Sequence, residues 1–145
     1  MSVEEPVARI MVETVFTVTG EAAVSEAAAL MSAKRVSCLP ISMGQGAVGV
    51  VTEKDIIQKV VAAGKDPRKV KAKEIMSTPL ILAPANITIK EAAEKMLSHQ
   101  IRRLVITGER GKLIGLATMT DIIRWIAQGE GNPNYILRYL SEEIG

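Results

Sequence analysis

Thr52 and Asp55 stand three residues apart, and so do Thr118 and Asp121. Each pair sits inside one longer phrase: Gly49-Val50-Val51-Thr52-Glu53-Lys54-Asp55-Ile56-Ile57 returns, 66 residues on, as Gly115-Leu116-Ala117-Thr118-Met119-Thr120-Asp121-Ile122-Ile123. A hydroxyl and a carboxylate at this spacing can do two things where a strand runs into a helix. Threonine as N-cap with the acid at N3 is close to a capping box, and the carboxylate complements the helix dipole. The same geometry is also a ready anion site, because the first-turn N–H groups point outward. The hydroxyl and amides would hold a phosphate, and the acid would accept hydrogen bonds from a ribose diol. Two copies imply two such sites.

Little else in the chain can do chemistry. Cys38 and His99 are the only residues of their types. They cannot build a His/Cys metal site within one chain. The single cysteine excludes an internal disulfide and suits a reducing cytoplasm. Gly44-Gln45-Gly46-Ala47-Val48-Gly49 matches Gly-x-Gly-x-x-Gly. A dinucleotide fingerprint must run from a strand into a helix, whereas here the last glycine enters a strand. A hairpin turn is the better reading. No Ser-His-Asp set has supporting context, so no catalytic residue is expected. Met11, Met31, Met76 and Met96 are read as core, and Trp125 as an interface ring.

The elements that position the two Thr-x-x-Asp motifs come from an internal repeat. Ile10-Met11 aligns with Ile75-Met76, Glu26-Ala27-Ala28 with Glu91-Ala92-Ala93, and Val36–Ile41 with Ile101–Ile106, all offset by 65. Each half opens with a short extended piece, VFTV or LILA. A helix follows, carrying Val24, Ala27, Ala28 and Met31 at helical spacing. Thr88 and Glu91 form a capping box in the second half, where the first has Ala23. Two strands around a glycine turn come next (SCLPIS and AVGVV; RRLVIT and KLIGLA), apolar enough to be buried on both faces. A second helix closes the unit, with Ile56, Ile57, Val60 and Val61 predicted on one stripe. Gly64 and Gly129 are the predicted stops. The fold expected is α+β, two pseudosymmetric β-α-β-β-α repeats packed sheet to sheet. Repeat 1 covers 6–68, repeat 2 covers 69–130, and a helical tail covers 131–145, with Asn134 as its cap and Tyr135, Ile136, Tyr139 and Leu140 as its apolar residues.

Composition fits this plan. The chain has 145 residues, 48% hydrophobic and only 3% aromatic, so Ala, Val, Ile, Leu and Met must fill the core. A net charge of +2 is well short of a dedicated DNA-binding domain. The densest basic run, Gly64–Lys73, reads as a solvated linker. The acidic N-terminus is unlike a signal peptide, and no apolar run reaches the roughly 18 residues of a membrane span. A cytoplasmic location is expected.

The order Ile-Met, Glu-Ala-Ala, Val-Ser-Cys-Leu-Pro-Ile, Gly-Val-Val-Thr-Glu-Lys-Asp-Ile-Ile, met twice, resembles the cystathionine-β-synthase (CBS) domain. Over about Pro6 to Gln128 the chain is similar to a tandem CBS pair, a Bateman module. That resemblance implies a non-catalytic sensor of adenosine-containing ligands: AMP first, then ADP and ATP, with S-adenosylmethionine and NAD behind them. It also implies shared pockets. One would use Thr52, Lys54 and Asp55 with Leu80, Ile81, Arg102 and Arg103. The other would use Thr118, Thr120 and Asp121 with Met11, Phe16, Ser37 and Cys38. The arginines have no basic counterpart at Ser37 and Cys38, so the charge pattern favours Thr52/Asp55 as the tighter phosphate site. Pro40 fits the family pattern, and Val105 departs from it. A homodimer acting on an unidentified partner is expected. The competing reading is an interaction or nucleic-acid scaffold with vestigial sites.

Overall fold

The computed structural model describes residues 2–13, 16–44, 46–78 and 80–130. They form two three-stranded sheets with helices, an α+β fold built twice. In chain order the elements are β1 (Val18–Thr19), α1 (Val24–Lys34), β2 (Cys38–Met43), β3 (Gly46–Thr52), α2 (Glu53–Ile56), α3 (Ala72–Ile75), β4 (Leu82–Pro84), α4 (Ile89–Ser98), β5 (Arg103–Thr107), β6 (Leu113–Thr118) and α5 (Met119–Glu130). The sheet orders are β1-β2-β3 and β4-β5-β6, the first pair parallel and the second antiparallel in each. The extended pieces begin later than VFTV and LILA predict, because pairing starts only at Val18 and Leu82. The tail 131–145, with the predicted Asn134 cap, Tyr135 and Tyr139, lies outside the described residues.

The chain divides into two compact units, one of Phe16–Leu80 and one joining the N-terminal residues to those from Ile81 onward. The opening segment of each repeat therefore belongs to the other repeat's core. Val7 is fully buried with Ile89, Met96, Leu104, Ile106 and Ile122. Val70, Ala72 and Ile75 are buried with Val24, Ile41, Val51 and Val60. Backbone pairing fixes both segments. Val12 bridges Leu116 in one unit, and Ser77 bridges Val50 in the other. Both segments lie over the glycines of the repeated motif. A Cβ on Gly49 would stand 2.9 Å from the Ser77 carbonyl oxygen, and one on Gly115 would stand 3.1 Å from that of Val12. The motif needs glycine because a backbone crosses there.

Helix caps follow the same exchange. Ala23 gives α1 no side-chain cap, as its sequence implies. The Val24 and Ser25 amides donate instead to the carbonyls of Val70 (2.8 Å) and Pro67 (2.9 Å), which satisfies two of the orphan donors. Thr88 and Glu91 do form their capping box. Glu21 joins α1's approach to α3's, accepting from Lys71 Nζ (2.7 Å) and Lys73 Nζ (2.6 Å). Those hydrogen bonds hold the Glu21 carboxyl at about 2, against an ordinary 4.5. A depressed folded pKa means the contribution to stability is complete above 4.5 and fades as pH falls towards 2. Glu21→Gln should accordingly flatten the acid limb of a melting-temperature series across that window. An unaltered limb would show that the pair contributes nothing.

Several expectations need correcting. Val60 is buried and Ile56 half-buried, but Ile57 is 59% and Val61 68% exposed. The sheet takes the i, i+4 face of Ile56 and Val60, and the next residues lie about 100° round the helix. A wide turn over Ile57–Val61, closed by the Ala62 amide on the Ile57 carbonyl at 2.8 Å, keeps them outward. Gly64 ends that segment with φ +70°, whereas α5 runs through Gly129 to Glu130. Trp125 is not an interface ring: it is 9% exposed, packs in the core, and donates from Nε1 to the Ser2 carbonyl at 3.1 Å. Pro40 and Val105 differ for a backbone reason. The Val105 amide donates to the Ile81 carbonyl at 3.2 Å, and proline has no such donor. The β1 ladder accordingly starts one residue later, at Ile41.

Candidate functional site

Each Thr-x-x-Asp motif lies where its last strand turns into a helix. Thr52 ends β3 and Asp55 sits in the first turn of α2. Thr118 ends β6 and Asp121 sits in the first turn of α5. The internal bonding is the same in both. Thr52 Oγ1 accepts from the Asp55 amide (3.1 Å) and donates to Asp55 Oδ2 (3.0 Å), which also accepts from the Thr52 amide (2.9 Å). The corresponding distances at Thr118 and Asp121 are 3.1, 2.8 and 3.0 Å. The capping box is therefore real. It occupies Oδ2 of each aspartate and leaves Oδ1 for other partners, on side chains that are 8% and 14% exposed.

The two Oδ1 atoms have different neighbours. Asp55 Oδ1 takes Lys59 Nζ at 2.9 Å and Ser77 Oγ at 3.2 Å. Among the described residues, Asp121 Oδ1 has only the exposed Arg124, at 3.6 Å. Lys59 could have been found from the sequence, since an acid and a lysine four apart on a helix are neighbours. Ser77 carries no local signal, because 22 residues separate it from Asp55.

The other expected site residues divide between the units. Phe16, Ser37, Cys38, Lys54 and Leu80 belong with Thr52 and Asp55. Met11, Ile81, Arg102, Arg103 and Thr120 belong with Thr118 and Asp121. Within each unit the strand ladder sets Cys38 opposite Thr52 and Arg103 opposite Thr118. Cys38 is buried, and Ser37 is exposed with its carbonyl accepting from the Glu53 amide at 3.1 Å. Phe16 lies under Lys34 Nζ, 4.9 Å from the ring centre. Arg102 is exposed and Arg103 half-buried, so the two do differ in direction. Arg103 Nε is buried with no hydrogen-bond partner among the described residues. Lys54 and Thr120 are exposed beside their aspartates. Met11 lies over Gly115.

Two further observations bound the chemistry. In the basic run, Lys71 and Lys73 share Glu21 and Arg68 pairs with Asp66, so two carboxylates stand against its five basic residues. Among the described residues no group of three or more His, Cys, Asp or Glu could hold a metal, and no helix is long and apolar enough to cross a membrane.

The CBS domain family profile matches twice, over residues 7–62 and 72–128. The chain belongs to the CBS-domain family, with two copies in tandem. An uncharacterized protein of Methanocaldococcus jannaschii is 34% identical over 146 residues, covering 96% of this chain and 77% of its own. One from Methanopyrus kandleri is 44% identical over 77 residues, which span 53% of this chain and only 39% of that protein. The crystal structure of an uncharacterized conserved protein from Pyrococcus horikoshii superposes with a TM-score of 0.78 at 30% identity, covering 86% of this chain and 94% of the other.

Proposed function

We propose that this protein is a non-catalytic regulatory module that binds adenine nucleotides. AMP is its first ligand, with ADP and ATP as alternatives, and its output passes to a partner or through self-association. One observation carries the reading: a strand-to-helix junction with a paired hydroxyl and carboxylate, built twice with matching geometry in a CBS pair. The first-turn amides outside the capping box suit a phosphate, with the Thr52 or Thr118 hydroxyl joining if it releases its aspartate. The aspartate Oδ1 suits a diol. Lys54, Thr120, Arg102 and Arg103 would assist at the phosphate. Met11, Phe16, Ser37, Cys38, Leu80 and Ile81 would serve the base, as the resemblance implies. Exposed Ile57 and Val61 support a homodimer.

Thermal shift and calorimetry with AMP, ADP and ATP test this. A ligand at a hundred times its Kd stabilises by about 2.7 kcal/mol, a rise of several degrees. The double variant Asp55→Asn/Asp121→Asn should lose that rise. An absence of any saturable shift in the unaltered protein, with salt-dependent RNA binding in its place, would overturn the reading in favour of a scaffold.

A further inference from the structure

The two aspartates are equivalent in the repeat, but two donors hold Asp55 that Asp121 lacks. Ser77 is the first. The Ser77–Val50 bridge, with N···O distances of 2.8 and 3.1 Å, sets the Ser77 hydroxyl against the Asp55 carboxylate. The matching bridge in the other unit places Val12 there, at 2.8 and 3.0 Å, and valine has no hydroxyl. Lys59 is the second. Its Nζ is anchored on both Asp55 Oδ1 (2.9 Å) and the Ile75 carbonyl (2.8 Å). Its repeat equivalent is Trp125, which turns into the core instead. Asp55 is consequently only 6% exposed.

Resting on the nucleotide reading above, we infer that Asp121 is the carboxylate that takes the diol, while the Asp55 junction is closed by its own chain. A diol at Asp55 must displace Ser77 and a doubly anchored lysine, leaving buried oxygens to be satisfied again. At Asp121, whose side chain is 14% exposed, the one charged neighbour among the described residues is an exposed arginine 3.6 Å away, already beyond hydrogen-bond distance. One further feature favours the same site. Arg103, across the ladder from Thr118, keeps a buried Nε–H without a partner among the described residues. The sequence charge pattern points to Thr52/Asp55; the inference drawn from these contacts prefers Thr118/Asp121.

Calorimetry on the full chain decides the matter, with AMP and 2′-deoxy-AMP as probes. The unaltered protein should bind one AMP per chain, and 2′-deoxy-AMP about tenfold more weakly. Asp121→Asn should weaken AMP about tenfold or more. Lys59→Met/Ser77→Val, which copies the apolar character of the other unit, should raise the stoichiometry towards two. Unchanged AMP affinity in Asp121→Asn, or two equal sites in the unaltered chain, would overturn the inference. No binding of any adenine nucleotide would instead remove the functional reading itself. The closed state of Asp55 then has its own ligand-free measure: Asp55→Asn should lower the melting temperature several degrees further than Asp121→Asn, and equal losses would refute it.

Discussion

Gly49→Val should lower the melting temperature by roughly 2–12 °C, while Gly46→Ala in the same strand should leave it nearly unchanged. At Gly49 even a methyl group would meet the Ser77 carbonyl and the Met76 sulfur at 2.9 Å. The sulfur can swing aside, but the backbone oxygen cannot move without breaking both hydrogen bonds between Val50 and Ser77. Overpacking of this kind costs about 1–3 kcal/mol, and a chain of this size loses about 2–4 °C per kcal/mol. Gly46 has open space around it. Moving the Ser77 segment would also take one donor from Asp55, so the variant links fold to site. Equal stability of the two variants would mean that the crossing segment is not held against β3.

The second large effect lies in the repeated Ile-Ile. Ile122→Ala should cost about 2–5 kcal/mol, because Ile122 is fully buried among Ile106, Ala117 and Ile126. In dilute protein, where the chain is monomeric, Ile57→Ala should stay within about 0.5 kcal/mol, since Ile57 is a largely exposed residue of the same motif. Urea unfolding, compared at a common m value, measures both. The loss at Ile57 should grow as protein concentration rises, because the proposed dimer covers that face; a loss independent of concentration would argue against a dimer through that helix.

These contrasts mark how far the sequence could be read. The strands, the hairpin turns, the capping box at Thr88 and both Thr-x-x-Asp junctions were legible, because each depends on neighbours a few residues away. Equal treatment of the two halves was also legible, and it is where the reading failed. Ile57 and Val61 match the helical period as well as Ile56 and Val60 do, and only the sheet's position selects between them. Trp125 reads as an interface ring by residue type, and only the packed core shows that it turns inward. The contact between Ser77 and Asp55 depends on a backbone crossing that no local pattern announces. Nor could the sequence show that each opening segment leaves its own repeat.

That exchange has a consequence for how the chain can come to its final form. The hydrophobic clusters of 16–80 are drawn from one continuous stretch. Those of the other unit need Val7, Ile10 and Met11 beside residues from Ile81 onward. As the chain emerges from the ribosome, the first core can close as soon as Ile75 and Met76 are free. The opening dozen residues must wait for strands made much later. Joining ends across about 65 residues of slack chain costs roughly 4 kcal/mol in loop entropy. If 16–80 has already closed, the tether is a finished structure, and that slack is gone before the ends have to meet. The order of synthesis and the order of closure then favour each other, with the segment of Val7, Ile10 and Met11 docking last.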